Sequence, residues 1–333
     1  MGRWPLAGRF VLILGLAVRC APAAPAPPPR LTEIVVLMEG LEGALGPFDA
    51  AAAGVRAFQA SEGVTVSLLP LGEDPVAWAT VVPRAAREPD HRLLILGMEG
   101  PARLGLEQAR VFPGKRFVLL GLPAGSHLPP NALVLSVDPF EMGWQAGYLA
   151  GTIARRLSPG PLGIMAGPGM EAALAGIRCG AQRAGWDPSA VRVEAVASAW
   201  DPVAGFEAAL RLYGQGAWVV VGAAGESTAG LLEAAAAVQR YAAGVEFDGA
   251  ARAARIRSPA VAYWLGAAVP DVAEAVRRVL RQARRGGLIH GLAFGRADRL
   301  GVRWVATEAF QRLAPSDLQR ALEEGDLPPA ACP

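Results

Sequence analysis

Short, uninterrupted apolar runs alternate along this chain with longer Ala- and Leu-rich segments of helical period, and no other feature restricts its fold as severely. In the first half the apolar runs are residues 33–38, 64–69, 92–96, 116–121 and 133–137, with helical segments at 48–60 and 75–86. A strand that is apolar on both faces belongs in a parallel sheet covered by helices on both sides. A second series begins at Phe140, with helices at 140–157, 170–184, 202–213 and 228–241 and strands at 162–166, 191–196, 218–222 and 244–247. The expectation is an α/β protein of two doubly wound parallel-sheet lobes, each a set of βαβ units. Beyond Asp248 come an arginine-containing turn, a strand at 260–264, a helix at 270–284 and strands near Leu292 and Val302. This shorter set suits a chain that crosses back between lobes. Residues 31–138 plus 259–288 then make the first lobe and 139–258 plus 289–306 the second, with hinge crossovers. Residues 307–333 form a tail with a surface helix at 308–323.

Composition narrows the function. Of 333 residues, 52% are hydrophobic and 19% charged, which excludes a disordered chain and leaves enough apolar material for two cores. The 32 Lys and Arg nearly balance 30 Asp and Glu and form no basic stripe, so no nucleic-acid partner is expected. Cys20, Cys179 and Cys332, like His91, His127 and His290, lie far apart, and give neither a disulfide framework nor a zinc motif. No Gly-x-Ser-x-Gly elbow, phosphate-binding Gly-x4-Gly-Lys loop or His-Glu-x-x-His helix occurs. An enzyme is not expected, and no cofactor or metal.

Arg3 and Arg9 precede an apolar run at residues 10–18, and a small-residue and proline stretch at 21–29 follows. That is the layout of a secretory signal, with an A-x-A site at Ala21-Pro22-Ala23, and the run is well short of the ~20 residues that span a bilayer. Residues 1–30 thus read as a signal peptide and proline-rich linker of a protein exported to the periplasm or the outer face of the cytoplasmic membrane. Cys20 is either an acylated first residue, giving a lipid anchor, or an ordinary cysteine of the discarded peptide; Arg19 stands where a lipoprotein signal wants a small residue. A third option keeps the apolar run as an uncleaved anchor with residues 23–30 as a stiff tether.

Ligands of two-lobed α/β proteins sit at the carboxyl ends of parallel strands, in the crevice between lobes. Phe48 and Asp49 open the first helix after a Gly-rich turn: either Asp49 caps that helix, or it accepts from a ligand hydroxyl while Phe48 stacks on a ring. Trp200 and Asp201 precede Pro202, where capping and ligand contact compete. Gly225 lies in GAAGESTAG, residues 222–230, a strand-to-helix turn whose N–H groups suit a polar ligand group although its spacing is no dinucleotide fingerprint. Glu246 and Asp248 are two carboxylates at one strand end, more than capping needs. Asp138 reads as a hinge or cap residue at the first crossover. Arg277, Arg278, Arg281, Arg284 and Arg285 form either a solvated helix face or a dock for an acidic partner.

Residues 139–151, PFEMGWQAGYLAG, resemble the E-x-x-Y-L-A-G helix of the basic membrane protein family, the PnrA-like substrate-binding lipoproteins of ABC transporters. Residues 43–58 are similar to the family's Gly-rich turn with Ser-Phe-Asn, placing Phe48 on its aromatic and Asp49 on its Asn. Residues 109–120 resemble its A-x-x-F-P-x-x-x-F strand entry, 200–205 its Phe-x-Asp-x-x-x-Gly element, 225–230 its Gly-Gly-Thr-Gly-x-Gly loop and 244–248 its G-V-D-x-D. The resemblance implies a periplasmic-binding-protein type 1 fold that captures a purine nucleoside, or another hydroxylated ring compound, for ABC permease subunits. It implies a pocket in which Phe48, Trp200, Tyr263 or Trp264 stack on the base while Asp49, Glu246 and Asp248 hold the ribose. Three departures stand out. The leading Asp residues of the first motif are missing, Gly121 stands where the family ends a strand with Asp, and the expected Thr-Ser-x-x-Lys after Ala260 reads YWLGAAVPD. The alternative implied by regulatory relatives is a sensor of the same fold without a transport role.

Overall fold

Five consecutive residues, Ile34–Met38, are completely buried in the first strand, β1 (Arg30–Met38). A strand can be buried in this way only if both faces of its sheet are covered. The computed structural model describes residues 30–40, 42, 47–63, 65–72, 74–123, 127–285 and 296–332, so residues 1–29 of the expected signal and linker, with Cys20, and the strand expected near Leu292 lie outside the described residues, while Arg30 opens β1. Around β1 are β2 (Thr65–Pro70), β3 (Leu93–Gly97), β4 (Arg116–Leu120) and β5 (Ala132–Ser136). With the late strand β11 (Arg296–Arg299) they form one sheet, in the order β11-β5-β4-β3-β1-β2, every pair parallel. The second sheet comprises β6 (Leu162–Ala166), β7 (Val191–Ala195), β8 (Val219–Ala223), β9 (Tyr241–Val245), β10 (Trp264–Pro270) and β12 (Val302–Ala306). Its order is β12-β10-β9-β8-β6-β7, parallel except for β12, which runs antiparallel to β10.

Helices cover both sheets on both sides. In the first lobe α1 (Pro47–Glu62) and α9 (Val272–Arg285) share one core with the sheet, while α2 (Pro75–Arg87) and α3 (Glu99–Val111) share the other. In the second, α4 (Pro139–Leu157) and α5 (Glu171–Arg183) lie on one side, and α6 (Pro202–Gly214), α7 (Thr228–Ala237) and α8 (Gly249–Ile256) on the other. The glycines of the GYLAG helix are a packing device. A Cβ on Gly143 or Gly147 would stand 2.1 or 2.2 Å from the carbonyl oxygen of Ala173 or Ile177 on α5, and one on Gly176 or Gly180 would meet α4 as closely. The backbones of α4 and α5 touch there, and no side chain fits between them.

Several elements differ from the sequence reading. The stretch between β3 and β4 contains α3, whose helical period is hidden by Gly100, Pro101 and Gly105; Pro101 sits in the first turn, where its missing N–H costs nothing. The arginine-containing turn after Asp248 is α8. The helix expected to reach residue 241 stops at Ala237, Gln239 takes a left-handed φ of 56°, and Tyr241 already opens β9. Residues 259–263 are a 3-10 turn, and β10 begins where the expected strand ended. That strand lies in the second sheet and β11 in the first, the opposite of their expected places, whereas α9 of 259–288 packs in the first lobe and β12 of 289–306 in the second, as expected. The chain thus crosses between sheets at Val137–Asp138, after Pro270 and at Leu300–Gly301. The expected tail helix is two, α10 (Glu308–Leu313) and α11 (Ser316–Glu324), parted by Pro315, and buried Phe310 and Leu318 pack into the second core. The cysteines also depart from expectation: Cys179 on α5 and Cys332 form a disulfide, Cα atoms 5.0 Å apart, that straps the tail to the second lobe.

Candidate functional site

A cavity of about 790 Å³ opens where the carboxyl ends of the parallel strands of both sheets meet. The first lobe contributes Asp49 and Ala50 from the start of α1, Met98 and Glu99 after β3, and Gly121 after β4. The second contributes Glu246 and Asp248 after β9, and Arg303 and Val305 from β12. Val137 and Pro270, one at each of the first two crossings, form part of the wall. A lining drawn from both lobes and from the strands between them changes shape when the lobes rotate, which is how a hinged pair encloses a ligand.

The strand end that carries Glu246 and Asp248 is held from below. Trp264, fully buried, lies against Gly244 and Gly249, where a Cβ would come within 2.7 and 2.6 Å of its ring, and meets Phe247 edge-on at 6.0 Å. Glu246 adopts a left-handed backbone, φ 63°, while its N–H still donates to the Ala268 carbonyl at 2.9 Å. A non-glycine residue in that region is strained by roughly 1–2 kcal/mol, and such strain concentrates at functional sites. The residue is exposed and lines the cavity. Burial of its carboxyl group, reinforced by the nearby Glu99 charge, pushes that group above the ordinary carboxylate range. Asp248 is the N-cap of α8, its Oδ1 accepting from the Ala250 and Ala251 N–H groups at 3.1 Å each.

Of the expected site residues, Asp49, Glu246 and Asp248 come together in the cavity. The expected stacking aromatics do not. Phe48 is buried in the first-lobe core beneath α1, and Trp264 is the wedge just described. Trp200 is 80% exposed and is not among the described residues that line this cavity. Asp201 caps α6 through the N–H groups of Val203 and Ala204 at 3.0 Å, and Gly225, φ 55°, closes against Ala199, so these two shape a second-lobe turn. Tyr263 pairs with Tyr241, ring centroids 6.2 Å apart. Among the described lining residues none is aromatic. Glu99 and Arg303 escaped the sequence reading: Glu99 follows a strand as Asp49 does, but α3 was not recognised, and Arg303 sits on the late antiparallel strand. Asp138 caps α4, with the Phe140 N–H donating to it at 3.0 Å, and Arg299 from the third crossing reaches Glu141 at 3.2 Å.

The model of the PnrA-like ABC transporter substrate-binding proteins matches residues 136–302, half of the chain. The protein belongs to that family. The match runs from the end of β5 to the start of β12, and so takes in the second lobe and α4 with its GYLAG run. No curated protein matches the chain. Among solved structures, a solute-binding protein of an ABC transporter system from Conexibacter woesei is 24% identical with TM-score 0.64, over 89% of this chain and 97% of that one. Another from Aeropyrum pernix is 19% identical with TM-score 0.60, over 90% and 82%. A transcriptional activator of the comK gene from Bacillus halodurans is 16% identical with TM-score 0.63, over 87% and 95%. These likenesses establish the type 1 periplasmic-binding fold of this PnrA-like protein, which serves transporters and regulators alike.

Proposed function

We propose that the protein captures a small hydroxylated solute between its lobes outside the cytoplasmic membrane and presents it to ABC permease subunits. The observation that carries this reading is the inter-lobe cavity, lined by carboxylate acceptors from both lobes together with Arg303, in a member of a family of substrate-binding proteins. Carboxylates that accept from ligand hydroxyls hold the solute, the apolar wall of Ala50, Met98, Val137 and Val305 covers its body, and the crossings permit closure. The Cys179–Cys332 disulfide supports an oxidising compartment, as does a signal at residues 1–30, with Cys20 the position for a lipid anchor. A purine nucleoside, the solute implied by the family resemblance, has to bind here without the stacking faces of Phe48, Trp200 or Trp264.

The test is a thermal-shift screen of the purified protein against nucleosides, bases, sugars and amino compounds, followed by calorimetry. A ligand at a hundredfold excess over its Kd adds about 2.7 kcal/mol and raises the melting point by several degrees. Binding that stimulates the ATPase of the reconstituted permease is the expected result. Binding without stimulation identifies a sensor of the same fold, and a screen without any hit overturns capture.

A further inference from the structure

The charged lining of the cavity is lopsided. Asp49 and Glu99 from the first lobe and Glu246 and Asp248 from the second share it with a single described cation, Arg303. Three of the four carboxylates are already compensated. Asp49 and Glu99 lie in the first turns of α1 and α3, where the helix dipole favours an anion, Glu99 also accepts from Arg103 Nε at 3.0 Å, and Asp248 caps α8. Glu246 stands apart. Its carboxylate has no hydrogen-bond or ion-pair partner among the described residues, and the charge it feels most is Glu99, from the opposite lobe. Two carboxylates on opposite lobes repel as the lobes approach, and the repulsion grows as water leaves the cleft. Closure therefore needs something positive between them.

Two kinds of occupant fit poorly. No three of the described His, Cys, Asp and Glu side chains converge to hold a metal ion. A flat neutral ring finds no aromatic face among the described lining residues, and the glycine at position 121, where the family resemblance puts an aspartate, takes away a further ribose acceptor. Resting on the capture reading, we infer that the solute is a hydroxylated organic amine, of the amino-sugar or amino-alcohol type, whose protonated nitrogen sits between Glu99 and Glu246. Its hydroxyl groups donate to Asp49 and Asp248, and Arg303 donates to a ligand oxygen. The ammonium bridges the two lobes, so the charge that favours binding also favours closure; a hydroxyl in its place donates one hydrogen bond and brings no positive charge to offset the two carboxylates.

Calorimetric titration of the purified protein with matched pairs tests this: glucosamine and glucose, galactosamine and galactose, serinol and glycerol, with adenosine as the neutral nucleoside. In at least one pair the amine is expected to bind tenfold or more tightly than its neutral partner, and Glu246→Gln and Glu99→Gln are each expected to abolish most of that preference. Melting curves of both variants establish that they are folded, and Glu99→Gln, on an exposed helix start, keeps the test valid if Glu246→Gln is not. Equal binding within every pair, or tightest binding of a neutral sugar or adenosine, overturns the charge assignment and leaves capture standing. Absence of binding by all seven overturns both.

Discussion

Glu246 concentrates the physical cost of this site. Its left-handed backbone and raised carboxyl pKa both disfavour the folded state without ligand. The folded protein holds this proton more tightly than the unfolded chain does, so the contribution of Glu246 to stability is present at low pH and falls as pH rises through the raised folded value. Burial of the carboxyl group and, after it, the Glu99 charge set the size of that fall. Glu246→Gln is accordingly expected to raise the melting temperature of the ligand-free protein near neutral pH and to leave it unchanged at about pH 4, as read by calorimetry across pH. A variant destabilised at neutral pH contradicts the assignment. Trp264 is the counterpart in packing: Trp264→Ala removes a fully buried ring from between Gly244 and Gly249 and is expected to cost about 3–5 kcal/mol in urea unfolding, with solute affinity falling because the strand end is no longer held. Glu246 and Asp248 were legible as a pair at a strand end and Asp49 as the residue that opens α1, whereas Glu99 was not. The aromatics were not, because a Phe, Trp or Tyr beside a strand end has the same sequence signature whether it faces a ligand or the core.

At the scale of elements the strands were read well, since unbroken apolar runs have no other place to go than a doubly covered sheet. The helices that escaped, α3 and α8, are the ones whose period is interrupted by Gly and Pro or by arginines, and α3 took Glu99 with it. The α4–α5 pair shows what a recognised motif does physically. Gly147→Val places side-chain atoms where the Ile177 carbonyl already stands 2.2 Å from a Cβ, so the helices must separate; a loss of about 1–3 kcal/mol is expected, measured by urea unfolding, with solute affinity unaltered at temperatures where the variant is folded. The tail gives a second case. Breaking the Cys179–Cys332 strap by Cys332→Ser is expected to cost about 2–4 kcal/mol, and the parent should melt at the variant's temperature once reduced. The pairing was illegible in sequence because residues 153 apart meet only when α11 and the following tail fold back onto the second lobe.

Across the whole molecule, the two α/β series were evident in the sequence, whereas the exchange of β10 and β11 between sheets was not, because the residues of a strand do not specify which of two sheets it joins. That exchange matters for function: three crossings lie side by side, and Asp138, Glu141 and Arg299 join the first to the third. The family match covers most of the second lobe, all three crossings, α9 and β11, and leaves out β1 to β4 and α1. Two of the three departures from the family pattern, the absent leading aspartates and Gly121, fall in the first lobe, and the third, at residues 263–271, falls on β10 of the second sheet. Capture requires that solute binds between the lobes and draws them together. Small-angle X-ray scattering of the purified protein, with and without saturating amounts of the solute that stabilises it most, measures this: a smaller radius of gyration is expected on binding, and an unchanged radius at full occupancy rules capture by closure out.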